Sequence, residues 1–234
     1  MNNNRPFKSL AAHLSLWIVS LSALIFIVVL STNYLLSRQL LENYVEQLAK
    51  ETTLSTVQKV DTVLHSVSTS ADSLAAVVTI PDISKKHIRQ MTKAFVDNNV
   101  EIFGMTVALE SGAVAGATGG FAPYYYKKDG AIAYADLSSG SYDYKNQLWY
   151  SNTRKANSAI WSEPYVDDGG GNVHMATYST PIYLKDGKSF AGVATADIKL
   201  SWLDEIIQKS KIGESGFGFI VSKNDIIIAH PDES

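Results

Sequence analysis

No Asp, Glu, Lys or Arg occurs between Lys8 and Arg38. The apolar part of this stretch runs from Leu14 to Leu36, and a helix of about 20 such residues spans the hydrocarbon layer of a bilayer. Ser15, Ser20, Ser22 and Ser31 can bond back to carbonyls of their own helix, and Trp17 and Tyr34 lie near its two ends, where aromatic belts form. Arg5 and Lys8 precede the span, which predicts a cytoplasmic N-terminus and an exported remainder. A cleaved signal peptide is the other reading. The run is long, no small-x-small cleavage site follows it, and the helical pattern continues past it, so an uncleaved anchor is expected.

That pattern constrains the next segment as strongly. Val57, Val60, Leu64, Val67, Ala71, Leu74 and Val78 follow a 3,4 spacing, a heptad seam. Leu41, Val45 and Leu48 carry a similar stripe upstream, weakened at Thr52 and Ser55. No Gly or Pro interrupts Leu35 to Ile80, and Pro81 ends the run. Such a helix is about 70 Å long at 1.5 Å per residue. Its seam has two uses: pairing two chains in parallel, expected from Leu41 to Val60, or packing on a sheet of its own chain, expected near Leu74.

Beyond Pro81 the pattern changes. Ile88, Met91 and Phe95 mark a short amphipathic helix, and strand-like runs follow: Ile102 to Leu109, Tyr124 to Tyr126, Ala131 to Leu137, Val173 to Leu184 and Phe190 to Ile198. Lys127-Lys128-Asp129-Gly130 and Lys185-Asp186-Gly187-Lys188 are hairpin signals, and Asp167 to Asn172 is a further turn. Short helices are predicted over Gln147–Ala156 and Ser201–Lys211. Phe217 to Val221 and Ile226 to Ala229 form a last hairpin around Ser222 to Asp225. The expected fold is α+β: an antiparallel sheet with the long helix on one face, and short helices and loops over the other, leaving a pocket between. A lone hairpin does not fold stably, so the last one reads as the start of a second small domain.

Ten of the 12 tyrosines lie between Tyr124 and Tyr183. Tyrosine has a flat apolar face and a polar tip, so such a cluster marks a binding surface, or reflects the preference of tyrosine for strands. Tyr144, Gln147, Trp149 and Tyr150 come in one short run, followed by Tyr165, Asp167 and Asp197. Aromatic faces and carboxylates brought together from separate elements suit a small-molecule site. Trp149 and Trp161 also read as core residues, and Asp167 as a turn residue before Gly169.

The order and spacing of these motifs resemble the double-Cache extracytoplasmic sensors of bacterial and archaeal signalling receptors. The resemblance rests on the long helix, the Asp-Gly hairpins, Trp149-Tyr150 and Trp161-Ser162-Glu163-Pro164-Tyr165. It continues through Gly192-Val193-Ala194-Thr195-Ala196-Asp197-Ile198 and Ile228-Ala229-His230-Pro231-Asp232. It implies residues 1–13 as a cytoplasmic N-terminus, 14–36 as the transmembrane helix and 37–80 as a signalling and dimerisation helix. Residues 81–200 would be a membrane-distal Cache domain, and 201–234 the start of a membrane-proximal one. A HAMP linker with a phosphatase, histidine kinase or methyl-accepting domain would follow. In amino-acid receptors of this type an Arg two residues before the Trp grips the ligand carboxylate; here that position is Gln147. Trp149, Tyr150, Tyr165, Asp167 and Asp197 match the family positions, and Tyr144 is expected to line the same pocket. The ammonium side of such a site is kept, while the bidentate cation is lost.

Several chemistries are poorly served. The net charge of −3 argues against nucleic acid as a partner. The absence of cysteine excludes disulfides and thiolate metal sites. His13, His65, His87, His174 and His230 show no metal-ligand spacing. The Gly169 to Gly171 run lacks the Lys of a phosphate loop, and no Gly-x-Ser-x-Gly elbow occurs. No catalytic residue, metal or cofactor is expected. The expected function is a membrane-embedded homodimeric receptor that senses a small polar ligand, an amine or amino-acid derivative. The rival is an anchored adhesion module that binds a polymer or protein through an outward aromatic surface.

Overall fold

The computed structural model describes residues 10–114, 119–167, 173–184, 186–212 and 216–231. Arg5, Lys8, the Gly169 to Gly171 turn, Lys185 of the second hairpin and Asp232 lie outside the described residues. By its contacts the chain divides into two units, Met1–Thr52 and Thr53–Ser234. Helix α1 (Leu10–Val78) enters both.

In the first unit α1 exposes its apolar side chains throughout the expected span, from Leu14 to Leu36. This part is long and apolar enough to cross a membrane. Thr32 donates its hydroxyl back to the Val28 and Val29 carbonyls at 2.9 and 3.0 Å, which hides a polar group inside the helix.

In the second unit α1 packs on a sheet. Val67, Ala71, Leu74 and Val78 are buried, Val60 and Leu64 join them at the edge, and Val57 remains exposed. Intramolecular packing therefore uses the seam from Val60 onward. The helix stops at Val78, and Thr79 and Ile80 turn ahead of Pro81. Helix α2 (Lys85–Asn98) starts at Ser84, whose hydroxyl accepts the His87 N–H, and adds Ile88 and Val96 to the same core.

The sheet contains β1 (Gly104–Leu109), β2 (Pro123–Lys128), β3 (Ala131–Asp136), β4 (Ile160–Trp161), β5 (Tyr165–Val166), β6 (His174–Tyr183) and β7 (Phe190–Lys199). Their order is β3-β2-β1-β7-β6-β4, with β5 also paired to β6, and every pairing is antiparallel. The β2–β3 hairpin turns at Asp129 and Gly130, both at positive φ (50° and 77°), as a two-residue hairpin loop requires. Alternation divides the strands between two cores. Met105, Val107 and Leu109 of β1 and Ala194, Ala196 and Ile198 of β7 face the helices. Ala108 and Val193 face the opposite way, toward Tyr144, Trp149 and Tyr150.

That second layer is built from a 3-10 turn (Tyr144–Asn146) and helix α3 (Leu148–Ala156). Gln147, expected inside a helix, is the extended residue between them and the N-cap of α3. Helix α4 (Ser201–Lys209) follows β7 and packs Leu203 and Ile207 with Ala229 of a small hairpin, β8 (Ile220–Val221) and β9 (Ile227–Ala229). The α+β architecture is thus the expected one.

Leu74 is fully buried between α1 and the sheet. Leu74→Ala leaves a cavity there and should cost about 2–5 kcal/mol, read as a lower chemical-unfolding midpoint by tryptophan fluorescence. Val57→Ala, on the exposed part of the helix, should leave the midpoint within about 0.5 kcal/mol.

Candidate ligand-binding site

Strand register brings the polar residues together. Thr106 of β1 stands opposite Thr195 of β7, and Asp197 stands between Gly104 of β1 and Thr177 of β6. These side chains share the face turned away from α1, so three adjacent strands present hydroxyls and a carboxylate where an apolar surface would otherwise be. Met175 extends this floor along β6. Tyr124 from β2, Trp149 from α3, and Tyr165 and Asp167 from β5 and its end form the walls, and Leu137 and Tyr142 complete the lining. The space between them is small, about 10 Å³, room for a single water molecule, so a ligand of several heavy atoms enters only if the walls move apart.

Four of the seven residues singled out from sequence meet here: Trp149, Tyr165, Asp167 and Asp197. Three do not line the space. Tyr144 is buried, its hydroxyl donating to the Leu109 carbonyl at 2.7 Å. Tyr150 is buried beneath Trp149, with ring centroids 5.7 Å apart and an edge-on angle of 83°. Gln147 caps α3, its carbonyl accepting the N–H groups of Tyr150 and Ser151. The expectation that Tyr144, Gln147 and Tyr150 line the pocket is therefore corrected. The 3-10 turn rotates Tyr144 into the core and brings Tyr142 to the pocket, and α3 directs Trp149 and its neighbour Tyr150 to different surroundings.

Tyr150 serves the site by support. Its hydroxyl donates to Glu110 Oε1 at 2.8 Å, and the same carboxylate is bound by Arg154 Nη1 at 2.9 Å and by Lys145 Nζ. Burial works against charge on Glu110, but Lys145, Tyr150 and Arg154 outweigh it and hold its pKa below the usual range. This cluster ties the 3-10 turn and α3 to the end of β1.

Asp197 is buried. Thr177 donates its single hydroxyl proton to Asp197 Oδ1 at 2.8 Å. The Thr177 oxygen can then only accept from the Tyr165 hydroxyl, 2.7 Å away. The chain of donors runs from Tyr165 through Thr177 to Asp197. Burial is the main cause that pushes the Asp197 pKa up to about 7; Thr177 and Tyr124 lower it, and the neighbouring Asp167 raises it. Burial and the charges of Asp197 and Asp167 likewise raise the Tyr165 pKa, which keeps its phenol neutral. Among the described lining residues none is basic. Two buried carboxylates, Asp167 and Asp197, thus face one small space.

Sequence inspection missed Thr106, Tyr124, Leu137, Tyr142, Met175, Thr177 and Thr195. The available signal was Thr195 and Asp197 at alternate positions of an otherwise apolar strand. Their cross-strand partners depend on register, which a lone sequence does not display.

Residues 88–205, just over half of the chain, match the family described as methyl-accepting chemotaxis protein-like, first PDC sensor domain. The methyl-accepting chemotaxis protein PscA of Pseudomonas syringae pv. tomato is 35% identical over 91 residues, which cover 39% of this chain and 14% of that protein. The chain thus matches only about a seventh of the length of this relative. Among solved structures, methyl-accepting chemotaxis protein X superposes with a TM-score of 0.68 at 21% identity, over 78% of this chain and 72% of that one. The ligand-binding domain of the Pseudomonas aeruginosa amino acid chemoreceptor PctC, in complex with GABA, gives a TM-score of 0.56 at 21% identity, over 78% and 74% of the two chains. These superpositions show a shared fold.

The raised Asp197 pKa has a defined consequence for stability. Between the unfolded value near 3.8 and about 7 the folded chain holds a proton that the unfolded chain has released. This contribution to stability is present below pH 4 and is lost as pH rises through that window. Asp197→Asn should remove the loss and stabilise the ligand-free chain at pH 8, on the order of 4 kcal/mol. Melting curves of both proteins from pH 4 to pH 8 check it.

Proposed function

We propose a sensory function for this chain, which belongs to the methyl-accepting chemotaxis protein-like family of first PDC sensor domains. The pocket beneath α3 binds the ammonium group of a small amine or amino-acid derivative. The observation that carries this reading is the pair Asp167 and Asp197, both buried in a space whose described lining holds no basic side chain. A bound ammonium restores the interactions that water would have given Asp197, while Trp149 and Tyr165 offer aromatic faces to the cation. The GABA held by the PctC domain is an example of such chemistry in a protein of the same fold. Gln147 lies away from the pocket and is neutral, so a ligand carboxylate has no bidentate cation to meet. A monocationic amine is therefore favoured over a free α-amino acid.

The site is also placed to influence α1. Tyr178 follows Thr177 on β6 and points to the opposite face, where its hydroxyl contacts Asp72 of α1 at 3.3 Å to either oxygen. Burial, then the charge of Asp72, pushes the Tyr178 pKa up to about 12, so the phenol stays a donor at neutral pH. A shift of β6 on ligand binding would move this contact and bias the packing of α1. A ligand changes that equilibrium only by the difference in its affinity for the two arrangements. In the receptor we envisage, the N-terminus is cytoplasmic and the sheet domain is exported. Two chains pair through Leu41 to Val60, and a HAMP linker with a methyl-accepting, kinase or phosphatase module takes the signal. Residues 201–234 begin a second, membrane-proximal module. The burial of Tyr124, Tyr126, Tyr144 and Tyr150 supports this reading over an adhesion surface made of outward tyrosines.

Calorimetric titration of the full chain in nanodiscs should give saturable heat with propylamine and at least tenfold weaker binding of alanine. Asp197→Asn should lower propylamine affinity more than tenfold. Tight alanine binding without propylamine binding would sink the amine reading. Because the chain has no cysteine, single cysteines at Leu41, Tyr44, Val45 and Leu48 report helix pairing directly. Crosslinking should be strongest at Leu41, Val45 and Leu48, and its pattern should change on ligand addition.

A further inference from the structure

Residues Ser162 to Tyr165, which join β4 to β5, grip one residue of the pocket floor twice. The Ser162 N–H donates to the Thr177 carbonyl at 2.9 Å, and the Ser162 hydroxyl accepts the Thr177 N–H at 3.0 Å. Three residues on, the Tyr165 hydroxyl bonds to the Thr177 hydroxyl, which in turn donates to Asp197. Between the two grips Glu163 turns elsewhere. Its Oε1 accepts from Asn224 Nδ2 at 2.8 Å, and its Oε2 is sealed from solvent with no hydrogen-bond donor among the described residues. Asn224 lies in the turn of the β8–β9 hairpin, where the Ser222 hydroxyl accepts the N–H groups of Asn224 and Ile226, both at 3.2 Å. β8 and β9 pair with each other and not with the large sheet, so the hairpin follows its neighbours through side-chain contacts.

We propose that Ser162–Tyr165 is a strap that couples the pocket to the β8–β9 hairpin, holding Thr177 at one end and Asn224 at the other. The coupling rests on the geometry of the pocket and holds whatever molecule the pocket takes. The space behind Tyr165 has room for a single water molecule, so anything larger displaces a wall. β5 is two residues long and pairs with β6 alone, so Tyr165 is a wall that moves at the loss of few backbone bonds. Pro164 fixes its own φ and restricts Glu163 to extended conformations. A link this short and stiff passes a shift of Tyr165 on to Glu163, and from there to Asn224. The hairpin thereby follows the state of the pocket by a path separate from the Tyr178–Asp72 contact with α1.

Hydrogen exchange of the full chain in nanodiscs, followed by mass spectrometry, tests the strap without any ligand. Tyr165→Phe releases the pocket end, and Asn224→Ala releases the hairpin end. Each should speed exchange across the hairpin, residues 220–229, about fivefold. The β2–β3 hairpin, residues 123–136 at the far edge of the sheet, should stay within about twofold of wild type. The double variant should exchange within about twofold of either single one, because a strap cut at one end no longer transmits what happens at the other. An unchanged 220–229 segment in either single variant overturns the strap. So do effects that multiply in the double variant, and so does equal acceleration in both hairpins, which marks a general loosening of the fold.

Discussion

The structure depends on a strand that is covered on both sides. β7 lies between β1 and β6, and its residues from Ala191 to Ile198 are all buried. One face, Ala194, Ala196 and Ile198, completes the core beneath α1 and α2. The other places Thr195 and Asp197 in the pocket. Antiparallel pairing with period-two alternation leaves no freedom here, since a slip of one residue would bury Asp197 against the helices and turn Ala196 to the pocket. The same register that closes the core therefore builds the site, and a residue on either face feels a shift of the strand.

The site carries an energetic cost that a core made only for stability would avoid. Asp197 accepts from the Thr177 hydroxyl and lies beside a second carboxylate and the buried Tyr124 phenol. A buried carboxylate with a raised pKa costs the ligand-free domain stability at neutral pH. The Glu110 cluster offsets part of this from outside the pocket. Its two cations and the Tyr150 hydroxyl fasten the α3 layer to the end of β1, which keeps Trp149 over the floor.

Much of this was legible beforehand where the physics is local. The exposed apolar run, the uninterrupted heptad pattern up to Pro81 and the Asp129-Gly130 turn state their own conformations. Trp149, Tyr165, Asp167 and Asp197 were picked out together from the order of motifs along the chain, and they line one space. Tyr144 and Tyr142 were not separable in the same way. Both are aromatic, two residues apart, and only the 3-10 turn decides which one reaches the pocket and which bonds to Leu109. Tyr150 matched a family position yet lies behind Trp149, because adjacent residues on a helix point about 100° apart.

The sequence by itself determined the elements: where the long helix runs and stops, which strands alternate, and that aromatic and acidic residues are concentrated after Tyr124. Hydrophobic period and turn chemistry are properties of neighbours along the chain, so they need no tertiary information. Only the tertiary structure decided the contents of the site. It set Thr177 and Gly104 beside Asp197, brought Tyr124 over Gly104 and withdrew Gln147 to the cap of α3. These are relations across strands far apart in sequence, and pairing register, rather than residue type, determines them.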